Sequence, residues 1–280
     1  MAAIVAAPMP SLVFTAYGVT AEVVVDRDEV AAKLPAILPP GWRAGDPAAV
    51  DTRIELRGAQ VLVDSARYRW TRKVTALDVL DSAIRLRVST LAPGRVFIHA
   101  GAVEHEGRAL VLPGPSLVGK TTLVAALVSQ GAAYLSDEYA VLDDGGLVHP
   151  YPKPLSRRAD PGSRVQTDEP AHRFGAVAED GPLPVGLIAV TRYESGAEWR
   201  PARRAPADGA MVLLENAVPA RERPRETLAA VRRACAKALV LEGPRGDAAE
   251  TAQTLLQTMR GASEPRTMLG CADAGPAARP

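Results

Sequence analysis

Residues 111–127 read VLPGPSLVGKTTLVAAL, and the centre of this segment matches the pattern G-x-x-x-x-G-K-[ST]. A chain of ordinary composition and similar length would contain the pattern by accident roughly once in a hundred. The context favours a real motif. An apolar run before Gly114 predicts a β-strand, and apolar residues at helical spacing after Lys120 predict a helix that ends near Gly131. Strand, glycine loop, helix and second strand in this order are typical of a nucleotide-binding α/β unit.

The loop residues have chemical roles in phosphate binding. Gly114 and Gly119 allow the backbone to fold around phosphate oxygens, and the amide groups at the helix start point at the negative charge. Lys120 would reach the β- and γ-phosphates of ATP, and the Thr121 hydroxyl would ligate Mg²⁺. Pro115 has no N–H, so it removes one donor from the loop. The expected ATP-binding residues are Gly114, Pro115, Ser116, Leu117, Val118, Gly119, Lys120, Thr121 and Thr122.

Two acidic residues follow the next predicted strand, AAYLS. Asp137 and Glu138 stand about where carboxylates would lie beside the phosphates. With Thr121 they are the candidate Mg²⁺ ligands, and one of the two acids would accept a proton from an incoming hydroxyl; the alternative is a solvated strand end. His99, on the strand RVFIHAGAV, lies either near the phosphate or in the core as a hydrogen-bonded residue. The candidate catalytic residues are therefore Asp137, Lys120 and His99.

The composition argues against several classes of protein. The chain has 280 residues and a net charge of +1, which gives no electrostatic reason to expect binding to nucleic acid or to a membrane. No charged residue precedes Glu22, but Pro8 and Pro10 interrupt this stretch, and SLVFTAYGVTAEVVV predicts two β-strands around a turn at Tyr17 and Gly18. We therefore expect neither a signal peptide nor a membrane anchor. Cys235 and Cys271 lack metal-ligand spacing, which fits a cytoplasmic setting.

The patterns divide the chain into three parts. Residues 1–91 alternate short strands with helical stretches near 28–37 and 75–88, and they predict a small mixed α/β lobe. Residues 92–260 hold the loop and form the core. Residues 261–280 predict a disordered tail.

The second half of the core is less regular. GLIAVTRY predicts a buried strand, and two helices are expected near residues 223–239 and 247–259. The Pro-rich segment 151–170 predicts a long surface loop. Its basic residues Lys153, Arg157 and Arg158 would either neutralise phosphate or an acidic substrate, or lie in solvent.

These residues resemble the HPr kinase/phosphorylase group and its shorter relatives found in gene clusters for modified peptides, including lasso peptides. In that group a histidine-bearing strand, a hairpin, the phosphate loop, one helix and an acidic pair follow in order, as His99, the loop and Asp137-Glu138 do here. The resemblance is close over about residues 95–154. It implies an α/β fold with a P-loop core of the HPr kinase/phosphoenolpyruvate carboxykinase type. It also implies ATP and Mg²⁺ as cofactors, and Asp137 as the general base on a serine hydroxyl.

The resemblance does not extend to every position. Leu117 stands where the group has a glycine, Thr121 where it has serine, Thr122 where it has glutamate, and Glu138 where it has a second aspartate. No E-x-R-G segment follows the acidic pair, so we expect no phosphorolytic activity and no use of HPr as substrate. The additional metal-binding histidine and lysine set of phosphoenolpyruvate carboxykinase is not recognisable either.

The sequence therefore predicts an ATP-dependent kinase that phosphorylates a serine of a peptide or protein, with a ribosomally made precursor peptide among the candidates. Two alternatives stay open: a small-metabolite kinase, and a nucleotide-binding regulatory protein without catalysis. Assembly into a homo-oligomer is also left open.

Overall fold

A computed structural model describes residues 9–68, 75–115, 119–158, 166–178 and 181–261. The strands in these residues are β1 (Ser11–Ala16), β2 (Val19–Val25), β3 (Arg43–Ala44), β4 (Thr52–Arg57), β5 (Gln60–Val63), β6 (Ala66–Arg67), β7 (Arg95–His105), β8 (Arg108–Pro113), β9 (Ala133–Ser136), β10 (Tyr139–Asp143), β11 (Val148–His149), β12 (Leu155–Arg158), β13 (Gln166–Glu169), β14 (Val185–Tyr193), β15 (Ala202–Arg204) and β16 (Leu239–Arg245). The helices are α1 (Asp28–Ala31), α2 (Leu34–Ile37), α3 (Ala76–Leu91), α4 (Lys120–Ser129), α5 (Pro206–Glu215), α6 (Pro224–Cys235) and α7 (Ala248–Gly261).

The first part of the chain folds as a sheet covered by one long helix. The strand order is β3-β1-β2-β4-β5-β6, and the β1–β2 hairpin turns at Tyr17 and Gly18, as the sequence predicts. Helix α3 begins with a capping box, in which Thr75 and Asp78 satisfy each other's backbone N–H groups. The apolar side of α3, including Leu80 and Ile84, is buried against the sheet. Residues 9–68 and 75–91 thus combine one sheet with the covering helix α3 and the short helices α1 and α2.

The second sheet carries the glycine loop. Its strand order is β11-β10-β7-β8-β14-β16-β15, and β9 also pairs with β7. Strands β8, β14 and β16 are parallel, whereas β7, β9 and β10 run antiparallel to their neighbours. Helices α4 and α7 pack on one face, and α5 and α6 on the other. This three-layer arrangement confirms the predicted α/β fold class.

One hydrophobic core joins the first sheet to the second. Phe97 of β7 and Tyr139 of β10 are buried in the same cluster as α3 and the first sheet. The rings of Tyr17, Phe97, Tyr139 and Tyr151 contact one another, with centroid distances of 5.1 Å for Tyr17–Phe97 and 5.4 Å for Tyr139–Tyr151. Aromatic contacts at such distances stabilise a packed core. Helix α3 therefore lies between the two sheets.

The structure corrects two sequence predictions and adds two elements. Segment 151–170 contains the antiparallel strands β12 and β13, where a long surface loop was expected; buried Leu155 anchors this hairpin in the core beside α4 and α7. The helix expected over residues 223–239 ends at Cys235, and Leu239 starts β16. The helix α5 and the strand β15 were not predicted. Among the described helices, none combines the length and the apolar character needed to cross a bilayer.

Candidate active site

The glycine loop joins β8 to α4, as the sequence predicts. Gly119 is the N-cap residue of α4 and has a left-handed backbone, with φ 86°. Residues with a Cβ atom rarely adopt this conformation. Because Gly119 offers no capping side chain, the amide groups of the first turn remain available to an anion. Ser116, Leu117 and Val118, three of the expected ATP-binding residues, lie outside the described residues.

Lys120 lies buried beneath this loop. Its Nζ donates hydrogen bonds to the carbonyl oxygens of Gly114 (2.6 Å) and Pro115 (2.8 Å). Burial lowers the pKa of Lys120 to about 8, although the carboxylates of Glu138 and Asp137 oppose the shift. A phosphate group would restore full charge to the ammonium and take over one or more of its hydrogen bonds.

Sheet topology brings the acidic pair to the loop. Strands β9 and β10 both pair with β7, and Asp137 and Glu138 form the junction between them. Strand β7 is also the neighbour of β8, which leads into the glycine loop. The acidic pair thus lies close to the start of α4, where the sequence argument placed it.

Asp137 contacts the first turn of α4. The Thr121 hydroxyl donates to Oδ2 of Asp137 at 3.2 Å. The hydroxyl of Tyr134 lies 3.3 Å from Oδ1 of Asp137 and 2.7 Å from the carbonyl oxygen of Lys153. Burial, and after it the charge of Glu138, raises the pKa of Asp137 to about 6. A carboxylate with such a pKa is suited to exchanging a proton near neutral pH.

Glu138 is held by helix α3. Its Oε1 lies 2.6 Å from Nη1 of Arg85, and Nε of Arg85 lies 3.0 Å from Asp81. Nζ of Lys153 lies 3.0 Å from the other oxygen of Asp81. Burial acts to lower the pKa of Arg85, but the carboxylates of Glu138 and Asp81 outweigh it and raise this pKa. We call the chain Glu138–Arg85–Asp81–Lys153 the α3 ion-pair chain.

The α3 ion-pair chain was not foreseen from the sequence. Asp81 and Arg85 are spaced i,i+4 on a predicted helix, which is a common surface pattern and points to no site. Lys153 was considered as a phosphate ligand or a solvated residue, and the structure gives it a carboxylate partner. The side chains of Arg157 and Arg158 are outside the described structure.

His99 lies between the loop and the acidic pair. Its Nδ1 is 3.0 Å from the carbonyl oxygen of Glu138, and its own carbonyl accepts from the N–H of Gly114 at 3.4 Å. Burial, followed by the nearby charge of Lys120, lowers the pKa of His99. The imidazole is therefore neutral at physiological pH, and the residue supports both sides of the site.

Oxygen donors meet at the start of α4. Thr121 and Asp137 are in contact, and Glu138 follows directly in the chain. Hydroxyl and carboxylate oxygens are the donors that Mg²⁺ prefers, and Mg²⁺ commonly takes its remaining ligands from phosphates and water. In the described residues no group of three or more His, Cys, Asp or Glu side chains is arranged to hold a metal ion. The donor set fits a metal that arrives with a nucleotide. Thr122, the last expected ATP-binding residue, is exposed on the first turn of α4.

Comparisons with known proteins give a structural likeness. The chain matches no protein-family model and no curated protein. Among solved structures it is similar to the HPr(Ser) kinase/phosphatase from Coxiella burnetii, with 15% sequence identity and a TM-score of 0.36. The match covers 59% of this chain and 95% of that chain.

Proposed function

We propose that the protein is an ATP-dependent kinase that transfers the γ-phosphoryl group to a serine hydroxyl of a peptide or protein. One observation carries the proposal: the half-buried carboxylate of Asp137 contacts the Thr121 hydroxyl at the start of the helix that follows the glycine loop. A loop that binds phosphate needs no such group for binding alone. A base at this end of the loop supports transfer to an acceptor, and burial raises its pKa towards neutral pH.

The residues divide the reaction between them. The serine oxygen attacks the γ-phosphorus, the bond from that phosphorus to the β–γ bridging oxygen breaks, and ADP leaves. Asp137 takes the proton of the serine hydroxyl. Lys120 and the amide groups at the start of α4 stabilise charge on the phosphates. Neutral His99 holds the Glu138 backbone and so helps to fix the acidic pair.

Mg²⁺ is the proposed metal cofactor. Thr121, Asp137 and Glu138 would hold it, because their oxygens suit this hard cation. When bound, the ion neutralises part of the charge on the triphosphate. We place the protein in the cytoplasm as part of this proposal, since ATP and reducing conditions are available there.

The proposed acceptor is a flexible peptide, with a ribosomally made precursor peptide as the first candidate. The hairpin β12–β13 follows Lys153, whose backbone carbonyl accepts a hydrogen bond from the Tyr134 hydroxyl beside Asp137. The first sheet ends at short strands β3 and β6, and an extended chain binds to such edges by backbone pairing. A small-metabolite kinase remains the competing function.

The test is a phosphorylation assay with a matched inactive variant. The wild-type protein, MgATP and the peptide encoded beside the gene are incubated, and mass spectrometry follows the addition of one phosphate to serine. We expect Asp137→Asn to bind MgATP but to transfer phosphate about a hundredfold more slowly or worse. Phosphorylation of free serine or another small alcohol, with the peptide unmodified, would support the metabolite kinase. Binding of MgATP without any transfer would favour the regulatory protein.

A further inference from the structure

A buried arginine lies against the end of the glycine loop. Arg245, the last residue of β16, is only 2% exposed. Its Nη2 donates to the carbonyl of Gly119 at 2.8 Å and its Nη1 to the carbonyl of Gly246 at 3.0 Å. Its Nε is buried and has no hydrogen-bond partner among the residues that the structure describes.

Among the described residues no carboxylate forms an ion pair with Arg245, although the negative charge of Asp247 acts on it at longer range. The acidic residue closest along the chain, Asp247, uses its side chain to accept from the N–H groups of Ala249 and Glu250 at the start of α7. A buried cation that forms no ion pair is costly to hold. An anionic ligand at the loop would remove this cost.

Tyr193 completes the surface around Arg245. The two residues are paired in the parallel register of β14 and β16, and Cζ of Arg245 lies 5.5 Å from the centroid of the Tyr193 ring. Tyr193 is nevertheless 57% exposed. A Cβ atom placed on Gly119 would lie 3.7 Å from the Cβ of Tyr193, so this exposed aromatic residue stands directly beside the loop. The guanidinium supports the ring and leaves much of it accessible.

The two flanks of the loop have different chemistry. On one flank, Thr121 contacts Asp137 at the β9–β10 junction. On the other flank, Gly119 contacts Arg245 at the end of β16. Strand β8 lies between β7 and β14, so these flanks face opposite directions along the sheet. If the γ-phosphate lies at Asp137, the rest of a nucleotide extends towards Arg245 and the carboxyl ends of the parallel strands, where ligands of α/β sheets commonly bind.

We propose that Tyr193 and Arg245 form the nucleoside end of the nucleotide site, in which the guanidinium binds a phosphate oxygen and the tyrosine ring stacks on the base. This inference rests on the proposed ATP-dependent function and adds two ligand-contacting residues to it. Stacking on an aromatic ring needs a base, whereas a charge-assisted hydrogen bond to phosphate does not. The two residues therefore make separable contributions to nucleotide affinity.

Calorimetric titration with two probes, MgATP and magnesium tripolyphosphate, separates the contributions. Tyr193→Ala should weaken MgATP binding about tenfold and leave tripolyphosphate binding unchanged, because the probe without a base cannot stack. Tyr193→Phe should bind both probes like the wild type. Arg245→Met should weaken the binding of both probes about tenfold or more. Arg204→Met, which removes an exposed arginine from the neighbouring strand β15, is the matched control and should change neither affinity.

Thermal unfolding of the ligand-free variants distinguishes ligand binding from structural support. Arg245→Met should melt within about 4 °C of the wild type, since it removes an uncompensated charge together with its two hydrogen bonds. A larger fall, or failure to fold, would assign Arg245 a purely structural role and overturn its part of the inference. If Tyr193→Ala lost affinity for MgATP and for tripolyphosphate equally, the stacking role would be overturned. A wild-type protein that binds neither probe contradicts the proposed function itself, whereas wild-type binding that all variants retain contradicts only this inference.

Discussion

Replacing Asp137 by asparagine should stabilise the ligand-free protein while it impairs catalysis. The folded protein holds the pKa of Asp137 at about 6, against 3.8 in a solvated chain. The folded state therefore binds more protons than the unfolded state between about pH 4 and 6, and the stability of the protein falls as the pH rises through this window. Above pH 6 the carboxyl is ionised in both states and lowers the free energy of unfolding by its full amount. The pKa difference sets this amount at about 3 kcal/mol at most.

Asparagine carries no charge and keeps a carbonyl oxygen that can accept from Thr121. At pH 7.5 we expect Asp137→Asn to raise the free energy of unfolding by up to about 3 kcal/mol, and at pH 5 by about half as much, because the wild-type carboxyl is then largely protonated in the folded state. Urea unfolding of the ligand-free proteins at both pH values measures this, provided that the m values agree. A variant that is less stable at pH 7.5, or a difference that is the same at both pH values, would refute the reasoning.

Three further outcomes are expected. Lys120→Ala should weaken MgATP binding about tenfold or more, because it removes a charge-assisted contact to phosphate; unchanged affinity in a calorimetric titration would argue against the phosphate loop. Arg85→Met should lower the free energy of unfolding by about 1–3 kcal/mol and slow phosphoryl transfer, since it leaves Glu138 partly buried without its cation. Arg85→Met combined with Glu138→Gln should recover part of the stability. If the effects of the two substitutions on the free energy of unfolding were purely additive, this coupling would be contradicted. Wild-type protein should not release pyrophosphate from a phosphorylated substrate and inorganic phosphate, and detection of pyrophosphate would show that the expected lack of phosphorolysis is wrong.

Local patterns were sufficient where a short segment determines its own structure. The left-handed Gly119 at the start of α4 follows from the glycine that the motif places before lysine and threonine, and the helix after it follows from its apolar periodicity. The β1–β2 hairpin follows from a turn dipeptide between alternating residues. In each case the residues that decide the structure are neighbours in the sequence.

Sequence patterns did not predict the structure where residues distant in the chain determine it. The apolar run at Leu239 fits the end of a helix as well as a strand, and pairing with β14 selects the strand. Buried Leu155 turns a Pro-rich segment into a hairpin, although nothing beside it in the sequence indicates burial. The sequence does not single out Arg85 and Arg245, because their partners in the site come from other parts of the chain. A charged residue becomes functionally informative only when its neighbours in space are known.

The α3 ion-pair chain makes helix α3 a shared component of the two sheets. One side of the helix closes the core of the first sheet, and Asp81 and Arg85 reach from the same helix to Glu138. A shortened protein that starts after α3 would leave Glu138 without its cation and would uncover Phe97 and Tyr139. If the part of the chain before β7 were replaced by another sequence, that sequence would have to supply a helix with charges equivalent to those of Asp81 and Arg85. A cut on either side of α3 would therefore remove packing or charge from one of the two sheets.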